Sequence, residues 1–425
     1  MMRAFLTSAV AAIGMLLACC AGSGAVAFAH ADQTPQSSLG RALANGMRAA
    51  GQQSGAYVVD LNTGQALFSS AANTGRLPAS VEKLYTTSTA LLRFGPNATL
   101  TTSILGRGTQ SPTGAFSGTL YLRGGGDPSF GATSFDQSNY GGGATMQRLV
   151  TNLVRQTAIT SLSGRVVADE SFFDSLRGTP ATGYAPSGDV EGALSALAYD
   201  RGWATLDGSV YDAHPALVAG QQLVKALRAA GVKVAPRTPV SGGRTPAGAT
   251  PLTEVHSPQM ATLIKWTNTP SDNFFAEMLL KDLGASYRGA GTTAAGAALV
   301  RAQVATSFAI TPRLNDGSGL SYSDLTTPYQ VVTLLQKMAG DPQFTDSLAV
   351  AGETGTLQDE MRGTFAQGRC RGKTGTLQAV SNVVGYCQAR DGHTLAYAFL
   401  MNSIDPNYAH PIQDRMQVTL AQYDG

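Results

Sequence analysis

The chain has 425 residues, of which 43% are hydrophobic and 14% charged, and its 30 basic and 28 acidic side chains leave a net charge of +2. This length and apolar content allow at least one large buried core, and they exclude a disulfide-stapled miniprotein or a wholly disordered chain. The balance of charges, without a basic run, gives no support for nucleic-acid binding.

The N-terminus has the pattern of an export signal. Arg3 precedes a mostly apolar stretch over residues 4–21, and Ala29-His30-Ala31 matches the small-residue pattern of a cleavage site. We therefore predict that residues 1–31 are a signal peptide, and that the mature protein is periplasmic or otherwise extracytoplasmic with no requirement for membrane association. Two alternatives stay open, an uncleaved N-terminal anchor and lipidation at Cys19.

The sequence up to residue 95 predicts a helix, a hairpin and a second helix. The first helix covers residues 38–50, and the hairpin covers residues 56–68 with a turn at Asn62-Thr63-Gly64. The second helix covers residues 80–94, where apolar side chains recur at helical spacing before the stop signal Gly95-Pro96.

The pattern changes between residues 96 and 258. Short predicted strands alternate there with glycine-rich turns such as Gly124-Gly125-Gly126-Asp127-Pro128, and two helices interrupt them near residues 146–156 and 219–230. We interpret residues 96–258 as an inserted β-rich domain.

After residue 258 the sequence predicts helices again and then a closing set of strands. The predicted strands cover residues 371–377, 382–388 and 394–401, and a final helix follows them. Residues 32–95 and 259–425 are therefore predicted to form one discontinuous α/β domain around the insertion.

Ser80-Val81-Glu82-Lys83 is the first motif with catalytic potential. Three residues make about one helical turn, so the Ser80 hydroxyl and the Lys83 amine are expected on one face within hydrogen-bond reach. A serine at a helix N-terminus also lies beside backbone N–H groups that suit a developing anion. The alternative is that Ser80 is only an N-cap, although a capping box would place Glu or Gln where Lys83 stands.

Two further motifs follow in the order S-x-N and K-T-G. Ser271-Asp272-Asn273 lies in or beside a predicted helix, and Lys373-Thr374-Gly375-Thr376 lies on a predicted strand. Taken alone, the first could be a helix kink or N-cap, and the second an edge strand with a solvated lysine. Each motif occurs once, in a fixed order, and on the type of element that the chemistry requires, which favours a common site.

The three motifs resemble the signature of penicillin-recognising serine enzymes. The surrounding sequence is similar to the D-alanyl-D-alanine carboxypeptidase/endopeptidase family, the class C low-molecular-mass penicillin-binding proteins, from about residue 56 to 420. The resemblance implies an α/β (α+β) fold class: a penicillin-binding/β-lactamase-like transpeptidase domain with an antiparallel sheet flanked by helices, interrupted by the inserted domain. The segments that carry it are residues 77–83, 124–128, 316–321, 351–357 and 372–377.

The resemblance also implies a role for each motif residue. Ser80 would attack the carbonyl of the penultimate D-Ala, with Lys83 as its base, provided that burial and the cation of Lys373 keep Lys83 neutral. Ser271 would relay a proton to the leaving group, and Asn273 would hold Lys83 and a substrate amide. The backbone N–H groups of Ser80 and Thr376 would form the oxyanion hole, Gly375 would allow close approach, and the Thr374 and Thr376 hydroxyls would bind the terminal carboxylate.

The predicted function is an exported serine D-Ala-D-Ala carboxypeptidase or D,D-endopeptidase that acts on peptidoglycan stem peptides and is acylated by β-lactams. The alternatives are a β-lactam-binding sensor or scaffold with little turnover, and a β-lactamase, which would lack the long insertion. No cofactor or metal is expected, because His214, His256, His393 and His410 show no ligand spacing.

Cys370 and Cys387 are predicted to form a disulfide. Export would remove Cys19 and Cys20 with the signal peptide and place the remaining pair in an oxidising compartment. If residues 371–377 and 382–388 form a hairpin, the two cysteines lie directly opposite each other. The alternative is two separate buried thiols.

Overall fold

The computed structural model describes residues 37–205 and 207–425. The predicted signal peptide at residues 1–31 and the possible lipidation site Cys19 lie outside these residues. Within the described part of the chain, no helix is long and apolar enough to cross a membrane.

Strands and helices alternate along the chain in the order that the motifs require. The strands are β1 (Ser54–Asp60), β2 (Ala66–Ser70), β3 (Thr101–Gln110), β4 (Ala115–Arg123), β5 (Ser161–Asp169), β6 (Lys233–Val234), β7 (Val240–Gly242), β8 (Thr250–His256), β9 (Ala349–Val350), β10 (Cys370–Leu377), β11 (Val380–Gln388) and β12 (Thr394–Asn402). The helices are α1 (Ser38–Ala50), α2 (Lys83–Phe94), α3 (Thr133–Asn139), α4 (Met146–Thr157), α5 (Pro215–Ala229), α6 (Met260–Asn268), α7 (Asn273–Arg288), α8 (Thr293–Phe308), α9 (Pro328–Met338), α10 (Pro342–Thr345) and α11 (Pro406–Ala421).

The first sheet is antiparallel, has the strand order β2-β1-β12-β11-β10-β9, and is covered by helices on both faces. Alternate residues of a strand face opposite sides. Ala56 and Val58 of β1 accordingly pack towards α1 and α11, whereas Tyr57 and Val59 pack towards α2 and α6–α9. Because both faces are buried, β1 is apolar without alternation. The prediction of an antiparallel sheet flanked by helices is confirmed.

A second sheet lies entirely within residues 101–256. Its strand order is β6-β5-β4-β3-β8, with β7 also paired to β5. The sheet is mixed, since β3 is antiparallel to β4 and β8 while β4, β6 and β7 run parallel to their neighbour β5. Apolar side chains of α4 and α5 pack on it and give this part of the chain a separate core.

Strand β8 is the main element that the sequence pattern did not predict. Pro251 within it argues against a strand, since proline cannot donate a ladder hydrogen bond. The structure accommodates Pro251 because β8 is an edge strand and its pairing with β3 shifts register between Ile104 and Leu105.

Cys370 and Cys387 form a disulfide across the β10–β11 pair. They are directly opposed in the ladder, and their Cα atoms are 4.0 Å apart. The predicted bridge is confirmed, and it closes the end of the hairpin whose β10 strand carries Lys373.

Candidate active site

The segment that leads into Ser80 is fixed to the first sheet. Asn382 on β11 donates hydrogen bonds to the carbonyl oxygens of Leu77 (2.9 Å) and Pro78 (2.8 Å). Ala79 then has φ of +48°, a conformation that costs an alanine energy and is kept only where the surroundings impose it. Ser80 follows directly, at the end of the sheet.

Ser80 lies in a 3₁₀ turn, Ala79–Glu82, and not at the start of an α-helix as the sequence predicted. Helix α2 begins only at Lys83. The positive φ of Ala79 prevents a regular helical approach, and no side chain caps the turn. The interpretation of Ser80 as an N-cap is therefore wrong.

Lys83 is fully buried and makes three hydrogen bonds. Its Nζ lies 2.8 Å from Ser80 Oγ, 2.5 Å from Asn273 Oδ1 and 2.9 Å from the Ser318 carbonyl oxygen. Asn273 Oδ1 and the Ser318 carbonyl can only accept, whereas the Ser80 hydroxyl can also donate. A neutral amine has two N–H groups and one lone pair, so it can donate to both acceptors and accept the Ser80 proton.

Burial lowers the pKa of Lys83 to about 8, although the carboxylates of Glu191, Asp272, Asp316 and Glu277 act in the opposite direction. An amine with this pKa has a substantial neutral fraction near neutral pH, as a general base requires. The geometry and the electrostatics of Lys83 are thus consistent with a base for Ser80.

Asn273 is the first residue of α7 and is held in a single orientation. Asp272 caps the helix by accepting a hydrogen bond from Phe275 N (2.9 Å), and the Asn273 side-chain amide nitrogen donates to the Asp189 carbonyl (2.6 Å). Since the nitrogen is committed to Asp189, the oxygen Oδ1 must face Lys83. The structure therefore brings the S-x-x-K and S-x-N motifs into contact.

Ser271 is the motif residue for which the structure gives the least support. Its backbone has φ of +69°, and its hydroxyl has no hydrogen-bond partner among residues 37–205 and 207–425. It is partly exposed, in the turn just before Asp272.

Lys373 on β10 is fully buried, and its Nζ donates to the Thr374 carbonyl oxygen (2.9 Å). Burial and then repulsion from Lys83 lower the pKa of Lys373 well below its ordinary value. Gly375 follows on the strand, and a Cβ on it would lie 2.7 Å from the Pro78 carbonyl and 3.2 Å from the Ser80 nitrogen. The K-T-G strand therefore passes directly beside the Ser80 turn.

Thr374 and Thr376 lie one residue to either side of Gly375 and line a small cavity of about 180 Å³. Thr374 Oγ1 donates to Thr356 Oγ1 (2.8 Å), and Thr356 lines the same cavity together with His410. Two larger cavities of about 590 and 620 Å³ are lined by other parts of the chain.

Sequence reasoning missed the group that aims the Ser318 carbonyl at Lys83. Glu277, which is fully buried on α7, accepts hydrogen bonds from Gly317 N (2.9 Å) and Ser318 N (2.8 Å). Glu277 stands four residues after Asn273, one helical turn away, and that spacing could have identified it. Asp189, Glu191 and Arg201, which lie far from any motif, were also missed.

Three acidic side chains could offer ligands to a cation, since oxygen atoms of Glu82, Asp316 and Asp324 lie within 4.8 Å of one another. All three are buried, and both Glu82 carboxylate oxygens lack a partner among the described residues. Burial, and then repulsion from Asp324 and Asp316, raises the pKa of Glu82 well above its ordinary value. A protonated Glu82 can donate to Asp324, which satisfies both side chains without an ion.

Comparison with known proteins connects this geometry to a family. The D-Ala-D-Ala carboxypeptidase 3 (S13) family profile matches residues 36–190 and 189–423. The D-alanyl-D-alanine carboxypeptidase of Actinomadura sp. (strain R39) is 29% identical over 458 residues, which cover 88% of this chain and 82% of that protein. Carboxypeptidase DacB of Mycolicibacterium smegmatis is 29% identical, over 82% of this chain and 76% of that protein.

Solved structures show the same fold. Penicillin binding protein 4 (dacB) from Haemophilus influenzae has a TM-score of 0.73 at 18% identity, covering 90% of this chain and 99% of that one. The same protein complexed with a β-lactam has a TM-score of 0.69, at 18% identity and with 88% and 98% of the two chains covered. Since the family profile spans nearly all the described residues, the chain is an enzyme of the D-Ala-D-Ala carboxypeptidase 3 (S13) family.

Proposed function

We propose that the protein is an exported serine D-Ala-D-Ala carboxypeptidase that acts on peptidoglycan stem peptides through an acyl-enzyme on Ser80. The observation that carries this proposal is the contact between Ser80 Oγ and the buried amine of Lys83, 2.8 Å apart. The family membership and the position of the K-T-G strand beside Ser80 support it.

In the acylation step, Lys83 takes the Ser80 proton as Ser80 Oγ attacks the carbonyl carbon of the penultimate D-Ala. The C–N bond to the terminal D-Ala then breaks, and the leaving amine receives a proton. The developing oxyanion accepts hydrogen bonds from the backbone N–H groups of Ser80 and Thr376. The closeness of Gly375 to the Ser80 nitrogen supports this assignment, because it places β10 beside the attacking oxygen.

The remaining motif residues bind the substrate and move the leaving-group proton. Lys373 supplies positive charge near Lys83, and the hydroxyls of Thr374 and Thr376 bind the terminal carboxylate from the cavity that they line. Ser271 passes the proton from Lys83 to the leaving amine, a role that its uncommitted hydroxyl permits. Water then hydrolyses the Ser80 ester and releases the shortened peptide.

The same acyl-enzyme gives D,D-endopeptidase activity when the leaving amine belongs to a cross-linked peptide in place of free D-Ala. It also forms with β-lactams, whose carbonyl replaces the scissile amide while the ring keeps the leaving amine tethered. The complex of Haemophilus influenzae penicillin binding protein 4 with a β-lactam supports this proposal.

Export to the periplasm or another extracytoplasmic compartment is part of the proposal, with residues 1–31 as the signal peptide. The Cys370–Cys387 disulfide supports it, since such bridges persist in oxidising compartments. We also propose that residues 32–95 and 259–425 form the peptidase domain around an inserted domain at residues 96–258. The separation of the two sheets supports this division.

The direct test is incubation of the mature protein with purified muropeptides, followed by mass spectrometry. A pentapeptide stem should lose one alanine, and Ser80→Ala should leave it intact. A protein that is acylated by a β-lactam but never shortens the stem would instead be a sensor or scaffold. Rapid hydrolysis of the β-lactam without peptide trimming would indicate a β-lactamase.

A further inference from the structure

Residues from the region between the first two motifs reach into the catalytic centre. Arg201 binds Asp272, the middle residue of Ser271-Asp272-Asn273, through two hydrogen bonds of 2.6 and 2.9 Å. Arg201 also donates to Glu191 through its Nη2 (3.1 Å to Oε2) and its Nε (3.0 Å to the carbonyl). The guanidinium thus joins two acidic side chains that both lie near Lys83.

The contact between Arg201 and Asp272 is built into the fold. Arg201 is only 7% exposed, and its guanidinium lies 5.0 Å from the ring centre of Phe274 on α7. Asp200 and Arg201 both have positive φ values, +49° and +58°, which non-glycine residues adopt at a cost. A surface arginine would need no such backbone, so the surroundings hold this side chain in place.

The same region also fixes Asn273 directly. Glu191 Oε2 accepts a hydrogen bond from the Asn273 backbone nitrogen (3.0 Å), and the Asp189 carbonyl accepts from the Asn273 side chain (2.6 Å). Arg201 holds the Glu191 side chain and the Asp272 cap from the other side. Every link from Arg201 to Lys83 is therefore a hydrogen bond through Asp272, Glu191 and Asn273.

We propose that Arg201 is a positioning residue for acylation, which orients the S-x-N motif towards Lys83 and neutralises the carboxylates of Asp272 and Glu191 beside that amine. This inference rests on the proposed function. It gives the region between the motifs a role in catalysis, because the centre is incomplete without Arg201.

The electrostatic part of the proposal follows from the groups that surround Lys83. Carboxylates of Glu191 and Asp272 face it from one side, those of Glu277 and Asp316 from α7 and the following loop, and the Lys373 cation from β10. Arg201 itself also contacts the Tyr140 hydroxyl (3.5 Å). If Arg201 is removed, the Asp272 and Glu191 charges lose their compensation and raise the pKa of Lys83. The enzyme then needs a higher pH for the same neutral fraction.

The test is the rate of acylation by a labelled penicillin as a function of pH. In Arg201→Gln we expect a rate at least tenfold lower near neutral pH, and an acidic limb shifted upward by about 0.5–1 pH unit. Arg201→Lys keeps the charge but not the bidentate geometry, so its rate should fall while its acidic limb stays near that of the wild type. Asp272→Asn removes one anion and still caps α7, so its limb should shift downward.

Arg177→Gln is the matched control. Arg177 lies in the same region and is also buried, and it makes a bidentate pair with Glu170 at 2.7 Å, away from Lys83. Both arginine variants should lose thermal stability, but only Arg201→Gln should move the acidic limb. An unchanged limb in Arg201→Gln, or an equal shift in Arg177→Gln, would overturn the proposal.

The outcomes also separate this inference from the proposed function. If the wild-type protein is not labelled on Ser80, the proposed function fails. If it is labelled but the limb does not respond to Arg201→Gln, only the role of Arg201 fails. Should Arg201→Gln not fold, Asp272→Asn tests the charge argument with the opposite sign, and an unshifted or upward-shifted limb in that variant would contradict it.

Discussion

The Cβ position of Gly375 lies 3.2 Å from the backbone nitrogen of Ser80, so the K-T-G strand and the nucleophile turn are in direct contact. Any side chain at this position must displace one of them, since the Pro78 carbonyl is closer still, at 2.7 Å. Asn382 and the strained Ala79 hold the turn in place from the other end.

Gly375→Ala should therefore reduce acylation far more than it reduces stability. We expect the second-order rate of labelling by penicillin to fall by about 100-fold, since displacements near 1 Å have this effect. The free energy of unfolding should fall by about 1–3 kcal/mol, as for overpacking. Gly340→Ala is the control, because no atom lies within 4 Å of its Cβ position. Equal labelling rates for the two variants would contradict the contact.

The pH dependence of acylation should report the Lys83 amine. Because burial lowers the pKa of Lys83 to about 8 and only the neutral amine accepts a proton, the rate should rise with pH and level off above about 8. Lys83→Ala should lower the rate by about 10²–10⁴-fold and remove this limb. Stopped-flow measurement of acylation between pH 5 and 10 checks both statements. A limb that persists in Lys83→Ala would show that another group is the base.

The buried carboxyl of Glu82 should make stability fall as pH rises. Its pKa is raised above the unfolded value by burial and by Asp324 and Asp316, so the folded state binds more protons between those two pKa values. Its contribution is complete below the unfolded pKa and is lost as pH increases, by up to about 1.4 kcal/mol per pH unit. In Glu82→Gln this part of the decline should disappear in denaturant titrations from pH 5 to 8. Glu254→Gln on the exposed surface of β8 serves as control and should leave the decline unchanged.

The disulfide should stabilise the β10–β11 hairpin. Cys370 and Cys387 are 17 residues apart, and a loop of this length corresponds to about 3 kcal/mol in the chain-entropy description. Replacement of both cysteines by alanine should lower the free energy of unfolding by about this amount. Thermal unfolding of the oxidised protein, the reduced protein and the double variant checks it. Two free thiols in protein from its native compartment would show that the bridge does not form there.

The sequence predicted the local part of the candidate site more completely than the distant part. Ser80 and Lys83 are three residues apart, so a single turn determines their contact. The contact between Lys83 and Asn273 spans 190 residues and was expected only because the motif order resembles a known family. Arg201 has no motif at all, and its partner Asp272 is 71 residues away, so only the packing of the whole chain reveals it.

The fold shows the same division. The helices and strands around the motifs were predicted because their apolar residues follow regular spacing. The start of α2 was misplaced because the positive φ of Ala79 has no signal in the sequence. Strand β8 was missed because Pro251 argues against it locally, whereas its edge position in the sheet permits it.

Identification of the residue that becomes covalently attached to a labelled penicillin tests the central claim most directly. The mature protein is labelled and digested, and the modified peptide is sequenced by mass spectrometry. We predict that the label lies on Ser80 alone, and that Ser80→Ala abolishes labelling while the fold is retained. Undiminished labelling of Ser80→Ala, or a label on Ser271 or Ser318, would contradict the assignment of Ser80 as the nucleophile.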